Sequence, residues 1–219
     1  MASRIGVVQF PGTNCEADVV EVVKSLGGEA QILWHGDATI ASCDGIVVPG
    51  GFAHGDYLRP GAIARFSPVM DAVVEFANGG GPVVGICNGF QILTEAGLLP
   101  GALQKNAGLK FRCGQSLLSV ASTQSVLTSQ CAVGDELSVP INHFEGNYTC
   151  DDETLARLRD DDRIVLRYVD NPNGSVDDIA GIASETGNVV GLMPHPERAV
   201  HPLSGSTDGV PLLRSLLAA

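Results

Sequence analysis

Residues 83–97 read VVGICNGFQILTEAG, and the fold turns on how this string is parsed. The apolar run VVGI has the composition of a buried strand. Gly85 and Gly89 flank Cys87, and Phe90, Ile92 and Leu93 then recur at helical spacing up to Gly97. A strand, a sharp turn with a nucleophile at its apex and a following helix make the GxSxG elbow pattern, here with Cys in place of Ser. Such a turn needs small neighbours, because strand and helix approach closely and the apex residue sits in a sparsely populated backbone conformation. The N–H groups and positive dipole end of the helix then face the sulfur and favour a thiolate. On these residues alone, a buried thiol beside a Gly-rich strand end is an equally good reading.

Working outward, short Val- and Ile-rich runs alternate with helical patterns, as expected for parallel strands joined by crossover helices. Strands are predicted over 5–10, 30–33, 45–48 and 83–86, with a helix over 17–26 that stops at Gly27 and Gly28. From about residue 114 the pattern becomes β-rich, with strands over 117–121, 137–141, 164–169, 179–184 and 189–193 and helices over 154–159 and 210–217. The fold class is therefore α/β: a doubly wound, mostly parallel, flavodoxin-like sheet flanked by helices, with additional antiparallel strands in the C-terminal half. With no linker, repeat or low-complexity tract, residues 1–219 read as one domain.

Composition narrows the function classes. A net charge of -12 over 219 residues argues against nucleic-acid or anionic-lipid partners. No run approaches the length of a membrane span, and the start reads as a strand and not as a signal peptide, so a cytoplasmic location is expected. Cys15, Cys43, Cys87, Cys113, Cys131 and Cys150 form no CxxC pair and read mostly as buried reduced thiols. No metal is expected, and no GxGxxG or GxxxxGK[ST] loop follows a strand.

VVGLMPHPERAV, residues 189–200, places His195 after an apolar strand between Pro194 and Pro196, both of which disfavour helix. In an extended segment Glu197 lies on the same side as His195 and can orient its ring. Cys87, His195 and Glu197 each follow a strand, so they can meet along one sheet edge as a set suited to covalent acyl transfer. IVVPGGFAHGDYLR, residues 46–59, puts Gly50 and Gly51 after a buried strand, where backbone N–H groups can face a ligand.

PGG, GxCxGxQ and PHPE in this order resemble the class I, triad-type glutamine amidotransferases. The strings VQFPGTNCE, GGFAHGDYLR, INHFEGNY, NPNGS and MPHPER are similar, within that group, to the glutaminase subunits of phosphoribosylformylglycinamidine synthases, over nearly the whole chain. The resemblance implies hydrolysis of glutamine by Cys87, His195 and Glu197. Gly51 or Phe52 and Asn88 would hold the oxyanion, and Gln91, His143 and Glu145 would contact substrate or partner. It further implies ammonia delivery to a separate large synthetase subunit of de novo purine synthesis. ATP and Mg would sit on that partner and not on this chain, and a small bridging subunit would complete the assembly. Departures from the family pattern fall at His54, at Phe144 and at residues 114–116 after Cys113. A standalone Cys-dependent hydrolase of the same fold and a catalytically silent docking subunit are the alternatives.

Overall fold

Three four-residue runs, Gly45–Val48, Val83–Ile86 and Val189–Leu192, are buried at every position. That is the signature of strands covered on both faces, so they belong at the centre of a parallel sheet. The computed structural model, which describes residues 2–40 and 42–219, places them there. In chain order the strands and helices are β1 (Arg4–Gln9), α1 (Glu16–Ser25), β2 (Glu29–Trp34), β3 (Gly45–Val48), α2 (Pro68–Asn78), β4 (Val83–Ile86), α3 (Asn88–Glu95) and β5 (Ala102–Gln104). They continue with β6 (Arg112–Val120), β7 (Glu136–His143), β8 (Asn147–Thr149), α4 (Asp152–Asp160), β9 (Ile164–Tyr168), β10 (Ile179–Ala183), β11 (Val189–Leu192) and α5 (Val210–Leu217).

The main sheet runs β2-β1-β3-β4-β11-β10-β9-β6-β7, and β5 pairs with β8 in a separate ribbon. From β2 to β11 every pairing is parallel, and from β11 to β7 every pairing is antiparallel. This is the α/β class read above, with the antiparallel strands in the later half. No helix among the described residues is long and apolar enough to cross a membrane.

Local signals account for the starts of α4 and α2. Asp151 caps α4 by accepting from the Thr154 N–H at 2.7 Å, the usual N-cap device. α2, absent from the sequence reading, begins on Pro68 and buries Val69, Met70, Val73 and Ala77 along one face. Proline is at home in a first turn, where its missing N–H has no partner to lose. The cysteine expectation needs correction. All six are free, yet only Cys15 and Cys87 are buried; Cys43, Cys131 and Cys150 are half-buried against the edge of the core, and Cys113, near the start of β6, is exposed.

Candidate active site

The carboxyl ends of β1, β3, β4 and β11 lie side by side, which is where open α/β sheets collect functional groups. β4 ends one residue before Cys87, whose backbone adopts φ 51 and ψ -105, a left-handed conformation costly for any residue with a side chain. The turn closes because its flanks are bare. A Cβ on Gly89 would lie 1.8 Å from Val48 O, and one on Gly85 would lie 2.7 Å from the Gly89 carbonyl carbon. The Cys87 N–H donates to Leu192 O at 2.8 Å, tying the apex to the strand that carries His195.

His195 and Glu197 meet at 2.6 Å, Nδ1 to Oε1, with side chains 2% and 0% exposed. The segment between them is not extended as expected. Pro196–Arg198 forms a 3-10 turn with proline at its first position, and the turn itself brings Glu197 back to the ring. Burial opposes a charged His195, but Glu197 and then the neighbouring Cys87 and Cys15 sulfurs outweigh it, raising the imidazole well above its ordinary range. Nδ1 is occupied by Glu197, which leaves Nε2 for chemistry.

Cys87, His195, Gly51, Gln91, His143 and Glu145 line one cavity of about 40 Å³. The antiparallel edge closes it: the His195 N–H donates to Pro140 O at 2.8 Å, and Asn142 O lies 3.8 Å from Cys87 Sγ. A larger depression of about 600 Å³ opens near Val189, at the other end of the same strands, and contains neither Cys87 nor His195.

The first residues of α3 pin the surrounding loops. Asn88 Oδ1 accepts from the Ala53 N–H at 3.0 Å, while its Nδ2 donates to Gln91 Oε1 at 2.9 Å and Asp56 Oδ1 at 3.2 Å. Gln91 Nε2 in turn donates to Glu145 O at 2.6 Å, so both amide groups brace the cavity wall. Phe52 also lines the cavity, but its N–H donates to Gly12 O at 2.8 Å, which removes it as an oxyanion donor. His143 is held at Nδ1 by Asn106 Oδ1 (3.1 Å), and burial, followed by the nearby His195, lowers its pKa to about 4, so it is neutral.

Two titratable cavity residues, Asp56 and Cys15, escaped the sequence reading, as did Asn14 and Asn142. Asp56, with φ 54, faces Glu145; desolvation, then that second carboxylate, raise its pKa to about 6 although Asn88 partly compensates. Cys15 lies beside His195. Both sat in strings already singled out, VQFPGTNCE and GGFAHGDYLR, but neither has a spacing that assigns a role. Of the departures, Phe144 lines the cavity, whereas His54 packs against Phe10 and His35 and contacts Ser67, outside it.

A family model described as a CobB/CobQ-like glutamine amidotransferase domain matches residues 2–209. The phosphoribosylformylglycinamidine synthase subunit PurQ of Rubrobacter xylanophilus is 56% identical over 215 residues, 98% of this chain and 98% of that protein. The subunit of the same name from Lacticaseibacillus casei is 53% identical, covering 98% of this chain and 94% of the relative. Among solved structures, PurLQS from Thermotoga maritima superposes with a TM-score of 0.92 at 41% identity, covering 100% of this chain and 99% of the matched one. A glutamine amidotransferase from the same organism shares the fold at a TM-score of 0.58 and 15% identity, covering 90% and 77%.

Proposed function

Because this chain belongs to the CobB/CobQ-like glutamine amidotransferase family, we propose that it is the glutaminase subunit of a phosphoribosylformylglycinamidine synthase. It hydrolyses glutamine to glutamate and passes the ammonia to a separate synthetase subunit, which converts formylglycinamide ribonucleotide to formylglycinamidine ribonucleotide in purine synthesis. The observation that carries this reading is the buried 2.6 Å His195–Glu197 pair beside a nucleophile held at a strained elbow. Near-full-length relatives at 56% and 53% identity support the substrate and the partner.

In the proposed reaction the Cys87 thiolate attacks the side-chain amide carbon of glutamine. The N–H groups of Gly51 and Asn88 receive the developing oxyanion, each such donor being worth ~10²–10³ in rate. The His195 imidazolium gives its proton to the departing ammonia, then accepts one from the water that cleaves the γ-glutamyl thioester. Glu197 holds the ring. Asp56 and Glu145, two carboxylates facing one cavity, suit the α-ammonium of the substrate, and Gln91 keeps the Glu145 loop in place. His143, neutral and tied to Asn106, shapes the wall and takes no proton.

The same proposal includes a single domain over 1–219, supported by one continuous nine-stranded sheet. It also includes a cytoplasmic setting, ATP and Mg on the synthetase, and a small bridging subunit; the PurLQS relative supports assembly with a synthetase partner. The test is Cys87→Ala assayed with the synthetase. Glutamine-dependent synthesis is expected to vanish while synthesis from added ammonium persists; retained glutamine hydrolysis overturns the assignment.

A further inference from the structure

The depression of about 600 Å³ at the amino-terminal end of β11 takes no part in the reaction above. It is of a size that holds a small molecule, since ligand pockets span roughly 300–1,000 Å³. Asn188 fixes its walls. The Nδ2 of that residue donates to Ala77 O at 2.8 Å and Gly81 O at 2.9 Å, and its Oδ1 accepts from Ser184 Oγ at 3.1 Å, which ties the turn between β10 and β11 to the end of α2. Leu98, Leu99 and Pro100, just beyond α3, supply an apolar face.

The ionisable residues of the lining are unevenly matched: Arg157 on α4 and Arg163 before β9 stand against one acid, Glu185. Arg163 is the unusual member. Its side chain is only 11% exposed, its Nε donates to Ala183 O at 3.1 Å, and the carboxylate it faces, on the 86%-exposed Glu185, stands 3.8 Å away. Arg59, Arg159, Arg167 and Arg198, by contrast, meet carboxylates at 2.6–3.0 Å. A cation so nearly withdrawn from water needs a partner to offset its desolvation. A chain of net charge -12 has carboxylates to spare, yet places none within hydrogen-bond distance of this guanidinium among the described residues. Arg157 is exposed, and its Nη2 contacts Thr154 Oγ1 at 3.4 Å. Both guanidiniums thus keep N–H groups for an anion.

We propose that this depression binds a small organic phosphate, its phosphoryl group held by Arg163 and Arg157 and its organic body laid on Leu98, Leu99 and Pro100. The guanidinium fork matches phosphoryl oxygens, and two such forks suit a dianion. Binding makes and breaks no covalent bond, and it does not depend on the glutaminase reading.

Phenyl phosphate is the probe, because it joins a phosphoryl group to a flat apolar body, while inorganic phosphate and phenol present the two halves separately. Isothermal titration calorimetry of the full chain at low ionic strength is expected to show one saturable phenyl phosphate site at millimolar or lower concentration. Burying a phenyl ring is worth about tenfold or more in affinity, so each half is expected to bind at least about tenfold more weakly. A hydrogen bond from a charged donor corresponds to ~10–150-fold, the loss expected in Arg163→Gln. Arg157→Gln, at an exposed position, is expected to weaken binding about 2- to 5-fold, and Glu185→Gln, which removes the competing carboxylate, to tighten it by a similar factor. Circular dichroism reports whether each variant is folded. The two exposed positions keep the site testable if loss of the Arg163 stem disturbs the fold, and Cys87→Ala should leave binding unchanged. The absence of a saturable phenyl phosphate site overturns the proposal, as does a site indifferent to the Arg157 and Glu185 variants and to a folded Arg163→Gln. Inorganic phosphate bound as tightly as phenyl phosphate overturns the role of the organic body, and phenol bound as tightly overturns the role of the guanidiniums.

Discussion

Replacing Glu197 by Gln keeps the shape of the side chain and one acceptor oxygen while removing the charge. The bond at stake is 2.6 Å long and joins side chains 2% and 0% exposed, so no water can substitute for it. A hydrogen bond to a charged group contributes about 1.5–3 kcal/mol, and each ~1.4 kcal/mol is tenfold in rate. Glutamine hydrolysis in Glu197→Gln is therefore expected to fall about 10- to 150-fold. KM should change little, since Glu197 is not among the cavity-lining residues. The pH dependence has a definite sign. Burial disfavours the imidazolium, and Glu197 is the largest of the contacts that hold it well above the usual histidine range. Without that carboxylate the ring gives up its proton at lower pH, so the deficit against the unaltered protein should widen as pH rises. Glutamate release measured from mildly acidic to mildly alkaline pH, with ammonium-dependent synthesis as the control, provides the assay. An unchanged rate, a deficit equal at every pH, or a matching loss of ammonium-dependent synthesis refutes the reasoning.

Three further outcomes are expected. Gly89→Ala drives a Cβ to 1.8 Å from Val48 O; overpacking of this kind costs ~1–3 kcal/mol or more, to be read as a lower melting temperature together with lost glutaminase activity. Asp56→Asn should raise KM for glutamine above about pH 6, where the native carboxylate is ionised, and erase the rise in KM expected of the unaltered enzyme as pH falls through about 6. Asp151→Ala removes the α4 cap and should lower the midpoint of thermal or denaturant unfolding while leaving glutamine hydrolysis unaltered.

The centre of the parallel half was legible because β3, β4 and β11 are unbroken apolar runs, and the elbow because Gly85, Cys87 and Gly89 carry both a steric and a chemical signal. α2 was also legible, from Pro68 and the spacing of Val69, Met70, Val73 and Ala77, and was missed although its cues were present. β5 and β8 were not, since three-residue strands carry too little periodicity. At the site, His195 and Glu197 came together for a different reason from the one expected, a 3-10 turn in place of an extended strand end. Phe52 illustrates the opposite limit. Its N–H is used up by Gly12, a residue forty positions earlier in the chain, and no local pattern announces that bond. Asp56 and Cys15 gain their surroundings only from tertiary packing, against Glu145 in one case and His195 in the other.

β4 and β11 are adjacent parallel strands in register, Ile86 opposite Leu192. Cys87 is the next residue after one and His195 follows shortly after the other, so their separation derives from the strand spacing of roughly 4.8 Å, the least adjustable length in any sheet. The carboxylates lining the cavity hang instead from loops, Asp56 after β3 and Glu145 after β7. The molecule thus divides its inheritance. The reactive pair is written into the frame, and the carboxylates into loops that reach it through the Asn88 and Gln91 amides of α3.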